Sequence, residues 1–152
     1  MRTLLYTARL FIPLKVNPMT TLVFGHKSPD TDSTGSPLIW EWFLNHTGID
    51  AKAVLLGTPN TEAAFAAKRW GFDLPEVIAD VEDDQSCVIV DTNNPAELPA
   101  NINNADVLAI IDHHKLAGGL ETKNPINITI RPLACTATIM HQMMGDHAGH
   151  MP

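Results

Sequence analysis

From residue 20 onward, short apolar runs alternate with longer stretches in which apolar positions recur every three or four residues. Residues 20–25 (TTLVFG) form a brief apolar run closed by Gly25, the pattern of a buried strand. A polar loop, 26–33 (HKSPDTDS), follows it. Over 33–45, Leu38, Ile39, Trp42 and Phe43 are spaced as on one face of a helix, with Pro37 in the first turn and Gly48 as the stop. Residues 51–56 (AKAVLL) predict a second strand. An alanine-rich helix opens over 58–61 and ends before Gly71. Residues 86–91 (SCVIVD) and 106–112 (DVLAIID) predict a third and fourth strand, alternating 126–130 (INITI) a fifth, and 134–144 a last helix. No internal repeat is visible. Strands alternating with helices predict an α/β fold, a doubly wound and mainly parallel sheet with helices on both faces. Right-handed crossovers then bring the C-terminal ends of the strands to one edge, where ligands bind.

That edge gathers unusual chemistry. The first strand runs into His26, Asp30 and Asp32, the third into Asp91, and the fourth into Asp112, His113 and His114. Carboxylates brought this close repel one another unless a cation lies among them. Carboxylate with some imidazole suits Mn²⁺, Mg²⁺ or Fe²⁺ better than a thiolate zinc site. The donor count is enough for two ions about 3.5–4 Å apart, the arrangement of metal-assisted phosphoester or phosphoanhydride hydrolysis. Each piece also has a plain structural explanation. Asp32 or Ser33 can be the N-cap of the first helix, and Asp91 can end a strand in a turn. Adjacent imidazoles at the end of an apolar strand are harder to explain that way. His46 and His141 read as structural, and Trp40, Trp42 and Trp70 as helix packing.

Composition narrows the picture. The 152 residues have the length of one domain. Ten Lys and Arg against 17 Asp and Glu give a net charge of −7, which disfavours nucleic acid as a partner. No apolar stretch approaches the roughly 18 residues of a membrane span. Two cysteines make no disulfide framework, which fits a reducing cytoplasm; Cys87 reads as a buried thiol. Residues 1–18 carry Arg2, Arg9 and Lys15 and no acid, a poor secretory signal and a short transit peptide. They read as an unstructured extension preceding Met19. Residues 145–152 (GDHAGHMP), with His147 and His150, read as a frayed tail.

Four blocks then carry a resemblance: GHKSPDTDS (25–33), VDTNN (90–94), IDHHK (111–115) and RPLACTATI (131–139). Over residues 20–144 the chain resembles the manganese-dependent inorganic pyrophosphatases, the family II enzymes of the DHH phosphoesterase superfamily. The resemblance implies that His26 and Asp30 hold one metal and Asp32 and His113 a second, with Asp91 bridging both. It implies that His114 faces the substrate and acts as acid, that Asp112 orients a histidine, and that Lys115 is a candidate phosphate contact. The implied cofactor is a pair of Mn²⁺ ions, with Mg²⁺ or Co²⁺ as substitutes. The implied reaction is attack of metal-activated water on pyrophosphate, giving two orthophosphates. Family members commonly form homodimers through an edge strand. Three departures stand out. Thr92 replaces a frequent His, and Ala134 replaces a frequent Gly. After Met144 the family's S-D-[ST] segment and its basic second domain, of DHHA2 type, do not follow. The expectation is therefore a DHH catalytic portion over 19–144 with the substrate-gripping domain absent and hydrolysis impaired. The alternatives are another DHH phosphoesterase, acting on polyphosphate or oligonucleotides, or a non-catalytic domain.

Overall fold

The computed structural model describes residues 19–152, so the expected extension at 1–18 lies outside the described residues. Five parallel strands, β1 (Thr21–Phe24), β2 (Ala51–Ala53), β3 (Ser86–Val90), β4 (Asp106–Asp112) and β5 (Asn127–Ile130), form one sheet in the order β2-β1-β3-β4-β5. Helices α1 (Thr31–His46) and α2 (Thr61–Trp70) connect β1 to β2 and β2 to β3, and α3 (Thr136–Met144) follows β5. The central strand β3 is buried at all five positions, so its sequence is a continuous apolar run rather than an alternating one. Side chains of successive strand residues point to opposite faces. Phe24, Cys87, Ile89 and Ile110 therefore enter one core, closed by Val81, Leu98 and Ile102. Val23, Val88, Val90 and Ile111 enter the other, against Trp40 and Leu44 of α1 and Ile139 and Met140 of α3.

Three boundaries differ from expectation. Helix α1 begins at Thr31 rather than 33, because Asp30 is its N-cap, accepting from the Ser33 N–H at 2.9 Å. Asp32 and Ser33, the expected caps, lie inside the first turn. Pro37 is consequently in the second turn, where it removes one ladder hydrogen bond. The second strand stops at Ala53, and Leu55 continues the edge only by a single parallel bridge to Val77. Residues 145–150 do not fray: they form a 3-10 helix, and Ala148 and Met151 pack on the α1–α3 core. His46, read as structural, stacks on Trp42 at 4.8 Å between ring centroids and meets the rings of His147 and His150 at 5.4 and 5.9 Å.

Candidate metal centre

Each strand end delivers its ligands by a different local device. After β1 the chain turns at Gly25, where an added Cβ would lie 2.0 Å from Ser33 Oγ. That hydroxyl accepts the His26 N–H at 2.9 Å, fixing the loop on the first turn of α1. Asp30 caps α1, and Asp32 one turn-face away reaches a different helix. Its Oδ2 accepts from the Thr136 N–H at 2.7 Å and its Oδ1 from the Ala137 N–H at 3.2 Å. Cys135, at the N-cap of α3, makes no side-chain cap bond, so Asp32 satisfies those orphan donors from across the fold.

After β3 the backbone enters the left-handed region at Asp91, with φ of 60°. This conformation is uncommon outside glycine, although Asp tolerates it better than most residues. It turns a carboxylate that is 1% exposed back toward the sheet edge. Asp91 Oδ1 accepts from Thr136 Oγ1 at 3.1 Å, whereas Oδ2 is buried with no hydrogen-bond partner. After β4, the fully buried Asp112 accepts from His114 Nδ1 at 2.8 Å and from the Asn93 side-chain amide. His113 Nδ1 donates to the Leu133 carbonyl at 3.0 Å, which leaves its Nε2 lone pair free.

These groups converge on Asp91. His26 Nε2 stands 3.5 Å from Asp91 Oδ2 and 4.0 Å from Asp30 Oδ2. On the other side, His113 Nε2 stands 3.3 Å from Asp91 Oδ1 and 3.8 Å from Asp32 Oδ2. His114 Nδ1 is 3.9 Å from Asp91 Oδ1, but it is already engaged by Asp112. Two sets of potential ligand atoms, His26–Asp30–Asp91 and Asp91–His113–His114, each lie within 4.8 Å and share Asp91. The electrostatics follow. Burial raises the Asp91 carboxyl above the ordinary range, and neighbouring Asp32 adds to the rise. The Asp91 carboxylate in turn raises the His26 imidazole. Burial opposes ionisation of Asp32, but the donors around it prevail and hold it low. Burial would lower His114, and its bond to Asp112 outweighs this and raises it.

A divalent cation fits this centre on the evidence of its own atoms. Asp91 Oδ2 is buried without a hydrogen bond, its charged neighbour being the His26 imidazole at 3.5 Å, and the surrounding donors are imidazole and carboxylate without thiolate, a set suited to Mn²⁺ or Mg²⁺. Thus His26, Asp30, Asp32, Asp91, Asp112, His113 and His114 are all brought to one edge, whereas the Lys115 side chain is exposed. Asn93 escapes sequence reasoning, whereas Thr136, with Arg131 and Thr138, reads from sequence as either shaping the site or capping the last helix, capping being favoured. Asn93 donates to Asp112 and to the Lys115 carbonyl and accepts from the Ala117 N–H, so it sets the loop after β4. Thr136 contacts both Asp32 and Asp91. The VDTNN and TATI blocks contained both residues, but their partners are distant in sequence.

The fold and the centre define a parallel-sheet α/β domain with a carboxylate–imidazole site at its strand ends. The chain belongs to the DHH family: residues 20–151 match that family's N-terminal domain. A "Probable manganese-dependent inorganic pyrophosphatase" of Lactobacillus acidophilus is 34% identical over 131 residues, covering 86% of this chain and 42% of the relative. A protein of the same name from Oceanobacillus iheyensis is 37% identical over 127 residues, covering 84% and 41%. A Methanococcus jannaschii structure assigned to the family II inorganic pyrophosphatases superposes with a TM-score of 0.72 at 32% identity, over 83% of this chain and 39% of that one. An exopolyphosphatase-related protein from Bacteroides fragilis, at 18% identity and a TM-score of 0.64 over 86% of this chain and 40% of that one, shares the fold. The chain therefore spans about two fifths of the length of the curated relatives it matches. Among the described residues, no helix is long and apolar enough to cross a membrane.

Proposed function

We propose that this chain carries the metal centre of a manganese-dependent hydrolase that splits inorganic pyrophosphate into two orthophosphates. The observation that carries the reading is Asp91, a buried carboxylate whose two oxygens face two different His–Asp pairs, one of them with no other partner. His26 and Asp30 would hold one cation and Asp32 and His113 a second, with Asp91 within reach of both sets. The chemistry such a site would gain from bound Mn²⁺ is a lowered pKa of water and neutralisation of charge developing on the phosphoryl oxygens. Mg²⁺ and Co²⁺ offer the same chemistry with different affinity.

The protein's own part is positioning and proton supply. Thr136 and the first N–H groups of α3 fix Asp91 and Asp32. Leu133 and Asp112 set the tautomers of His113 and His114. With Nδ1 held by Asp112, His114 has Nε2 left to face the substrate and give a proton to the departing phosphate. Its raised pKa keeps it protonated further toward neutral pH. Lys27 and Lys115, both exposed and next to ligand residues in sequence, are candidate phosphate contacts. Two such cations are few for a pyrophosphate anion, so we expect the 152-residue chain alone to bind metal better than it turns over substrate. The reading places the protein in the cytoplasm, in keeping with two unpaired cysteines.

The test is calorimetric titration of the chain with Mn²⁺, followed by phosphate-release assays on pyrophosphate, tripolyphosphate and a dinucleotide. Mn²⁺ uptake lost in His113→Ala, with slow release from pyrophosphate, supports the proposal. Mononucleotide release with pyrophosphate untouched overturns it in favour of another phosphoesterase.

A further inference from the structure

The pair formed by Thr92 and Glu97 stands outside the ligand set. Thr92 follows Asp91 directly and is 1% exposed. Its hydroxyl accepts from the Asn94 N–H at 3.1 Å and donates to Glu97 Oε2 at 2.6 Å. A hydroxyl bonded to a carboxylate is a strong, charge-assisted contact. The Glu97 main chain makes a second connection: its carbonyl accepts from the Lys27 N–H at 3.0 Å, one residue after His26. Glu97 itself is held firmly. It closes the 3-10 turn Pro95–Glu97, whose cap Asn94 accepts from the Ala96 N–H at 3.1 Å, and the next residue, Leu98, is fully buried in the core.

We propose that Glu97 is a positioning residue for the metal centre, tying the loop that carries His26 to the loop that carries Asp91 and so holding the two ligands at the spacing of one cation. His26 Nε2 and Asp91 Oδ2 stand 3.5 Å apart. Adjacent ligands of an octahedral ion with bonds of about 2.1 Å lie about 3 Å apart, so this separation closes on a cation with little movement. On its other side His26 is fixed by Ser33 Oγ, and Asp91 by Thr136. Without the Thr92–Glu97 bond, the Glu97 carbonyl that holds Lys27 loses its side-chain anchor on the Asp91 loop; His26 keeps the Ser33 contact and Asp91 keeps Thr136 and its N–H bond to the Ile111 carbonyl, but the distance between the two ligands is less constrained. Partners hydrogen-bonded directly to metal ligands are worth about 10–100-fold in metal affinity, and Glu97 acts one residue further out, so an effect at the lower end, about tenfold, is expected.

The inference rests on the metal reading above, and its test separates the two. Mn²⁺ affinity is measured by calorimetry on the full chain for wild type, Glu97→Ala, Glu97→Gln, Thr92→Val and the Glu97→Ala/Thr92→Val double variant. Amide exchange at Lys27 is measured in the metal-free proteins. The expected result is a loss of about tenfold in Glu97→Ala and Thr92→Val, with no further loss in the double variant. Glu97→Gln keeps an oxygen acceptor for Thr92 and stays close to wild type. The Lys27 N–H exchanges faster in metal-free Glu97→Ala, a readout independent of any ion. Wild-type affinity or unchanged Lys27 exchange in Glu97→Ala overturns the proposal. Equal losses in Glu97→Gln and Glu97→Ala overturn it as well, because the carboxylate would then act through its charge. Failure of the wild-type chain to bind Mn²⁺ overturns the metal reading and this inference with it.

Discussion

Cys87 and Cys135 show how far the environment of one residue type can diverge within a fold. Cys87 is fully buried in the central strand, and burial, with the nearby Asp106 charge adding to it, pushes its thiol up to about 12. Cys135 is half-buried at the start of α3. In the native protein at pH 8, a thiol-disulfide reagent should therefore titrate one thiol, at Cys135, and two after denaturation. Labelling of Cys87 without unfolding would contradict this, because only the thiolate reacts. The buried state of Cys87 was legible from its apolar run. The convergence of the candidate ligands was legible too, because each follows a strand and their order matches a known family. Their supports were not: Asp32 caps a helix whose first residue is 104 positions away, and no local pattern encodes that pairing. The left-handed turn at Asp91 was equally hidden, since Asp before Thr-Asn-Asn permits several turn geometries.

Between neighbouring elements the tightest junction is that of β1 with α1. A methyl group at Gly25 would sit 2.0 Å from Ser33 Oγ and 2.9 Å from the Ser33 carbonyl oxygen. Gly25→Ala must therefore push the first turn of α1 away from the strand, breaking the His26–Ser33 bond and shifting Asp30 and Asp32. We expect a loss of about 1–3 kcal/mol in urea unfolding, with weaker Mn²⁺ binding. Adding Ser33→Ala should recover part of the stability, because the closest clash is with the hydroxyl. A Gly25→Ala variant as stable as wild type would refute this account of the junction. The periodicities located all five strands and three helices, because buried strands and amphipathic helices write their patterns locally. Boundaries failed where neighbouring residues could serve the same role. Asp30, Asp32 and Ser33 are all good caps, and only the docking of Asp32 on α3 decides among them. Residues 54–56 are as apolar as a strand because they enter the same core after leaving the ladder. The 3-10 helix at 145–150 depends on Met151 and Ala148 reaching the core, a contact without periodic signature.

For the whole molecule, the cost of the centre should be visible as stability. A net charge of −7 accompanies four carboxylates, Asp30, Asp32, Asp91 and Asp112, gathered at one sheet edge. In the metal-free chain Asp91 is a buried acid beside Asp32 with one oxygen unpartnered. Asp91→Asn removes the charge, keeps the shape, and suits a positive φ. The metal-free variant should therefore be more stable than wild type, by about 1 kcal/mol, as when a strained functional site is relaxed. Mn²⁺ should reverse the order. An ion that binds only the folded wild type adds about 2.7 kcal/mol at one hundred times its Kd, whereas the variant lacks the carboxylate proposed to serve both positions. Thermal unfolding with and without Mn²⁺ measures both effects, with Asp80→Asn in the exposed acidic loop as a control that keeps the full increment. An Asp91→Asn chain that still gains the wild-type increment would remove Asp91 from the centre. Loss of the increment without any gain in the metal-free state would leave Asp91 a ligand, but would show that Thr136 and His26 already compensate its burial.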